Sequence, residues 1–188
     1  VAAAYLMASK FGKISRASMD MDRNNINRRL NMHVMSQDRF GKLEQASNTL
    51  KQNLKTWIES VKMITDSIDI YDAKILNLGL EFDVSLNNTS NYASAIAEIR
   101  EALYREITDV FPQIGEPFSI FNVERILNGL DIVNGVVSVK VKNKIGTDYS
   151  DIRHNISANV SPDGKLIYVP ADFIWEIKNA KDIVGKAK

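Results

Sequence analysis

Few residues in this sequence combine the type and the spacing that chemistry requires. Asp20-x-Asp22-x-Asn24 sets oxygen donors on alternate residues, as at the start of a calcium loop. Such a loop needs glycine at its sixth position and glutamate at its twelfth, and here Asn25 and Asn31 stand there. His33 and His154 are the two histidines, far apart in the chain and without a neighbour at ligand spacing. Glu81 and Asp83 sit two apart, so on a strand their carboxylates share a face and could serve acid–base work. A solvated or partner-facing strand surface explains them more cheaply. Lys140, Lys142 and Lys144 could meet phosphates, but without interleaved aromatics they fit an exposed edge that resists sheet aggregation. No phosphate loop, nucleophile elbow or dinucleotide fingerprint occurs. Cysteine is absent, which removes disulfides, zinc–thiolate sites, iron–sulfur clusters and thiol nucleophiles together. These residues predict no enzyme, no bound metal and no cofactor.

The elements are easier to read. In Lys74–Leu86, Leu76, Leu78, Leu80, Phe82, Val84 and Leu86 alternate with Ile75, Asn77, Gly79, Glu81, Asp83 and Ser85. Period two places the first six on one face of a strand and turns Glu81 and Asp83 to water or a polar partner. Burying each large apolar side chain is worth roughly 1.5–3 kcal/mol, so that face demands a cover. Two helical stripes flank it. Leu50, Leu54, Trp57, Ile58 and Val61 predict a helix over Asn48–Met63, capped by Ser47 or Asn48. Tyr92, Ile96, Ile99, Leu103, Ile107 and Val110 predict another, stopped by Pro112. The expected core sets Leu78, Leu80 and Phe82 against Leu54, Trp57, Ile99 and Leu103.

Around these, Val1–Phe11 reads as the end of a helix and residues 13–26 as a connection, with Arg28–Ser36 a strand and Gln37–Gln45 a loop. Ser67–Tyr71 is a short strand. A third helix runs from Ser119 to Gly129, and Val136–Lys142 is a further strand. Ser161-Pro162-Asp163-Gly164 is turn chemistry between strands expected at Asn155–Val160 and Lys165–Val169, with Phe173–Lys178 a last strand. The fold class is α+β: an antiparallel or mixed sheet with helices packed on one face, plus a β-rich C-terminal tail. The expected division is 1–26, a helical arm and linker from a preceding region; 27–143, an α+β core; and 144–188, a β-rich extension. Val1 opens inside a helical pattern, which suggests a piece of a longer polypeptide. Net charge is +1, although residues 10–42 carry eight Lys/Arg against three Asp/Glu. That basic segment leaves a second reading, a stand-alone α+β module that binds nucleic acid or protein. No apolar run approaches the ~18 residues that span a bilayer, and no membrane partner is expected.

The run LKQNLKTWIESVKMITDSIDIYDAKILNLGLEFDVSL (Leu50–Leu86) resembles the C-terminal region of baseplate wedge proteins from contractile-tailed bacteriophages, the baseplate J-like family. Pro117-Phe118-Ser119-Ile120 opening a helix, the Ile132–Val139 strand entry, and SPDGKLIYVPADFIWEIK near the end resemble the inner-ring wedge subunit in the same order. The resemblance covers about residues 27–185 and carries no catalytic signature. It implies a structural virion protein that assembles with other copies and with wedge, hub and sheath-initiating proteins. The product would be the tail baseplate that triggers sheath contraction, built in the host cytoplasm. The chain is shorter than a full wedge subunit. The tail, with Ile145, Tyr149, Ile152, Ile167, Phe173, Ile174, Trp175 and Ile177, has more apolar surface than a hairpin can bury on itself. Phe173, Trp175, Tyr149 and Ile152 are therefore the expected partner-interface residues, with tryptophan a favoured anchor.

Overall fold

The computed structural model describes residues 14–21, 29–39, 41–63, 67–87 and 91–187. The arm predicted for Val1–Phe11 lies outside them, as do Asp22, Asn24 and Asn25 of the broken calcium pattern. The fold is α+β, with antiparallel and mixed sheets and three α-helices among the described residues. None of those helices is long and apolar enough to cross a membrane. The chain forms two compact units. One takes the described residues up to Lys74, with Gln113–Gly115 and Pro170–Ile174; the other takes Ile75–Pro112, Glu116–Val169 and the chain from Trp175 on. Both therefore draw on 27–143 and on 144–188.

In the first unit, β1 (Ile14–Met21) pairs antiparallel with β2 (Arg29–Gln37). Part of the connection expected over 13–26 is thus a strand. A register shift between Ile14 and Arg16 buries Ile14 and Ser15 side by side and breaks the alternation that would have announced it. On the far side of β2 lie β3 (Leu43–Glu44), antiparallel, and β4 (Ser67–Asp72), parallel. The expected loop Gln37–Gln45 therefore holds a short strand, with Gly41 at φ 82° making the turn into it. A parallel pair needs a crossover, and α1 (Asn48–Val61) supplies it between β2 and β4. Ser47 caps α1, its hydroxyl accepting from Leu50 N at 3.2 Å. Leu50, Leu54 and Ile58 bury against Ile14, Met32, Val34 and Ile68, with Trp57 half-buried beside them. This corrects the expected core, because the β2–β4 sheet has its own apolar row for the α1 stripe. Val61, expected inside, is 54% exposed, since the stripe outruns the sheet at that end.

The second unit is built on β5 (Lys74–Leu86), which has the bounds its alternation predicts. β7 (Val133–Asn143) pairs with it antiparallel and β10 (Ile183–Ala187) parallel, while β9 (Phe173–Glu176) also joins β5. Leu76, Leu78, Leu80, Phe82 and Val84 are buried, as are Ile99, Leu103 and Ile107 of α2 (Tyr92–Asp109). At Gly185 of β10, an added Cβ would lie 2.7 Å from Phe82 Cε2 and 3.0 Å from Ile96 Cγ2, so strand, ring and helix meet there. Tyr92 and Val110, at the ends of the α2 stripe, are exposed rather than inward. Ser119 caps α3 (Ile120–Asn128) by accepting from Asn122 N at 3.1 Å. The tail differs from expectation. Ile156–Asn159 is a turn of 3-10 helix, not a strand. The second expected strand shrinks to β8 (Leu166–Ile167), paired with β6 (Phe118–Ser119). β10 itself was not expected, because Ile-Val-Gly-Lys-Ala is too short to show a period.

Candidate functional site

The residues that could have done chemistry are dispersed. In the first unit, the His33 ring stacks on Tyr71 across the sheet, with centroids 6.0 Å apart. In the second, His154 Nε2 lies 3.3 Å from the Tyr168 carbonyl oxygen. Lys142 Nζ donates to Glu81 Oε1 at 2.5 Å across the β5–β7 pair, and Ser138 donates to Asp83 at 3.2 Å. That ammonium donor holds the Glu81 carboxyl below its ordinary value, assisted by the charges of Lys186 and Lys140. Glu81 is thus an ionised, solvated carboxylate, unsuited to giving a proton at neutral pH. Lys144 stands 3.7 Å from Asp182. Among the described residues, no three His, Cys, Asp or Glu side chains gather as a metal site. Of the basic 10–42 segment, Arg29 lies 3.7 Å from Asp69.

What the second unit builds instead is a polar clamp on its own tail. Asn77 alternates onto the same face as Glu81 and Asp83, yet it is 2% exposed in mid-strand. Its Oδ1 accepts from Ser150 N at 2.8 Å and its Nδ2 donates to Glu176 Oε2 at 3.1 Å. Its carbonyl accepts from Lys144 N at 2.8 Å, and Ser150 Oγ donates to the Ile75 carbonyl at 2.6 Å. The segment after β7 is thereby folded over the nominally polar face of β5. A second clamp centres on Asp182, also 2% exposed, whose carboxylate accepts from Tyr149 Oη at 2.5 Å and Asn179 N at 3.1 Å. The hydrogen bond to Asp182, with burial next, pushes the Tyr149 phenol above its ordinary value. A buried carboxylate with several donors is a fixed joint, since leaving it unpaired would cost several kcal/mol.

The four expected interface residues therefore take different places. Trp175 is 6% exposed and meets Phe118 edge-on, with centroids 5.0 Å apart. Tyr149 and Ile152 are half-buried on the clamped segment. Phe173 belongs to the first unit, half-buried with Lys74 Nζ 5.1 Å from its ring centroid. The structure brings Tyr149 and Ile152 onto one segment and does not gather all four. The larger exposed apolar groups lie elsewhere. In the first unit they are Met19 and Met21 on β1 and Val61 and Met63 at the end of α1. In the second they include Phe111 after α2 and Phe121 on α3. Sequence reasoning misses Met19 and Met21 because it takes β1 for a connection. Phe121 carried a signal, an aromatic off the inward stripe of its helix.

No family model and no curated protein matches the chain. Among solved structures, the fold is similar to a chain of the anti-feeding prophage (AFP) baseplate, determined by cryo-electron microscopy with sixfold symmetry imposed. The TM-score is 0.54 at 11% identity over 88% of this chain, and the likeness spans about a third (34%) of the length of that chain.

Proposed function

We propose that this chain is a structural part of the baseplate of a contractile, phage-tail-like particle, and within it a wedge subunit. The observation that carries the reading is the fold likeness to the AFP baseplate chain, which runs through 88% of the sequence at 11% identity. Two features agree with it. The candidate chemical residues are engaged in cross-strand pairs or dispersed, and the exposed large apolar side chains are those of a protein that meets other chains. Its partners would be other copies and neighbouring wedge, hub and sheath-initiating proteins, and its place the tail of the assembled particle. Tyr149, Ile152 and Phe173 would offer side chains to those partners. Trp175 would act from beneath, as the buried prop that fixes Phe118 at the entry to α3.

The test is genetic and visual. Removing this chain from the particle's operon should leave tails without baseplates, and sheaths unable to assemble or contract, in electron micrographs. Intact baseplates in its absence would overturn the reading.

A further inference from the structure

β1 is an open sheet edge. It pairs with β2 on one side, and among the described residues no strand lies on the other. Its eight residues hold neither lysine nor proline, and its only guards are Arg16, Asp20 and the register shift at its start. Its two faces are distinct. Ala17, Met19 and Met21 register with Val34, Met32 and Leu30, so they continue the apolar row beneath α1. That row runs past its cover, leaving Met19 43% and Met21 57% exposed. Arg16, Ser18 and Asp20 point to the opposite face, in register with Met35, His33 and Asn31. One guanidinium nitrogen of Arg16 donates to Ser15 O at 2.8 Å and Ser15 Oγ at 3.1 Å, and a guanidinium carries further donors on its other nitrogens.

From this edge we infer that two copies of the chain join through β1, antiparallel, in a register centred on Ser18. The sequence Arg16-Ala-Ser-Met-Asp20 is complementary to its own reversal. Centred on Ser18, Arg16 of each copy faces Asp20 of the other, Ala17 faces Met19, and Ser18 faces Ser18. Directly opposed residues on antiparallel strands share a face, so the apolar row continues into the second copy and the polar row beside it. Registers centred on a peptide bond would oppose apolar to polar faces. Moving the centre to Ala17 sets Arg16 against Ser18, and moving it to Met19 sets Asp20 against Ser18, so within β1 only the Ser18 register pairs the two charges. The joint is isologous, the commonest symmetry for paired copies, and it covers Met19 on both. β4, the other edge, is a poorer self-partner. Centred on Asp69 it opposes two carboxylates, and centred on Ile70 it sets Ile68 against Asp72.

The inference deepens the reading that copies of this chain assemble together, and its test separates the two. The chain has no cysteine, so Ser18→Cys is a single reporter. Opposed residues have Cα atoms about 4.5–5.5 Å apart, within disulfide range. Mild oxidation of Ser18→Cys should give a covalent dimer, while Thr56→Cys on the exposed side of α1 should not. In sedimentation, Arg16→Asp and Asp20→Arg alone should each raise the dimer dissociation constant about tenfold or more, by turning two attractions into two repulsions. The double reversal should restore dimerisation, since both pairs re-form with the signs exchanged. A monomeric chain that still binds baseplate proteins would overturn this joint and leave the proposed function standing. A dimer indifferent to both charge reversals and silent in the Ser18→Cys assay would also overturn it. A Ser18-linked dimer that binds no baseplate protein would support the joint and count against the function.

Discussion

Asn77→Ala should loosen the whole segment after β7, because one buried amide holds two distant pieces of chain. The alanine leaves Ser150 N without its 2.8 Å acceptor and Glu176 without a 3.1 Å donor. A neutral hydrogen bond is worth about 0.5–1.5 kcal/mol and one to a charged group about 1.5–3, so the combined loss is about 2–4 kcal/mol. For a chain of this size that corresponds to a fall in melting temperature of about 5–15 °C. Urea denaturation would measure the loss, and hydrogen exchange at Ser150 N would show whether the segment opens ahead of the rest. Asn77→Asp adds a directional control. It keeps an acceptor for Ser150 but turns a carboxylate towards Glu176, so it should be less stable than wild type at neutral pH and regain stability as acid neutralises one of the two. A loss below about 0.5 kcal/mol in the alanine variant, with Ser150 exchange unchanged, would refute the clamp, since that is the range of surface substitutions away from structural features.

Leu80→Asp should prevent the second unit from folding, because an unpaired carboxylate at a site 1% exposed costs several kcal/mol against a total of about 5–15; a cooperative melt at the wild-type temperature would contradict this. Gly185→Ala should destabilise by about 1–3 kcal/mol, since the methyl meets Phe82 at 2.7 Å and Ile96 at 3.0 Å, and calorimetry would detect it. Lys142→Ala should raise the Glu81 pKa in an NMR titration. The native carboxyl sits below its unfolded value, so its contribution is present above that value and is lost as pH falls through the native one; the variant should lose that part of the acid dependence.

How much could be read in advance depended on whether burial was decided locally. β5 could be bounded to the residue because its apolar face alternates without a break, and the cap of α1 could be narrowed to Ser47 or Asn48 because a helix start needs an acceptor. β1 could not. Its bulge puts Ile14 and Ser15 in the core together, and its remaining residues are ordered by the strand they pair with. The helix stripes were readable in the middle and misread at the ends, where Val61, Tyr92 and Val110 fall beyond the sheet that would bury them. The core pairing failed for a different reason. The alternating strand and the α1 stripe each need a partner, but amphipathicity states the need without naming which face answers it. Leu54 turned to Met32 and Ile68, not to Leu80.

The clamp in the second unit and the open edge in the first were harder, and each is hidden for the same physical reason. Asn77 reads as an exposed polar residue until the chain returns, from Ser150 and Glu176, to bury it. Met19 reads as part of a linker until β2 gives it a face, on which it stays 43% exposed. In both, the deciding quantity is where a cover begins or stops, which is a property of the assembled chain and not of any residue type. Catalytic and metal sites can be sought as motifs because a proton or an ion needs particular donors at particular spacings. A scaffold's contacts need only an unpaired edge, an apolar row that continues past its lid, and charges that match across the joint. Arg16-Ala-Ser-Met-Asp20 satisfies the last of these within five residues, but the match has meaning only once β1 is known to be an edge.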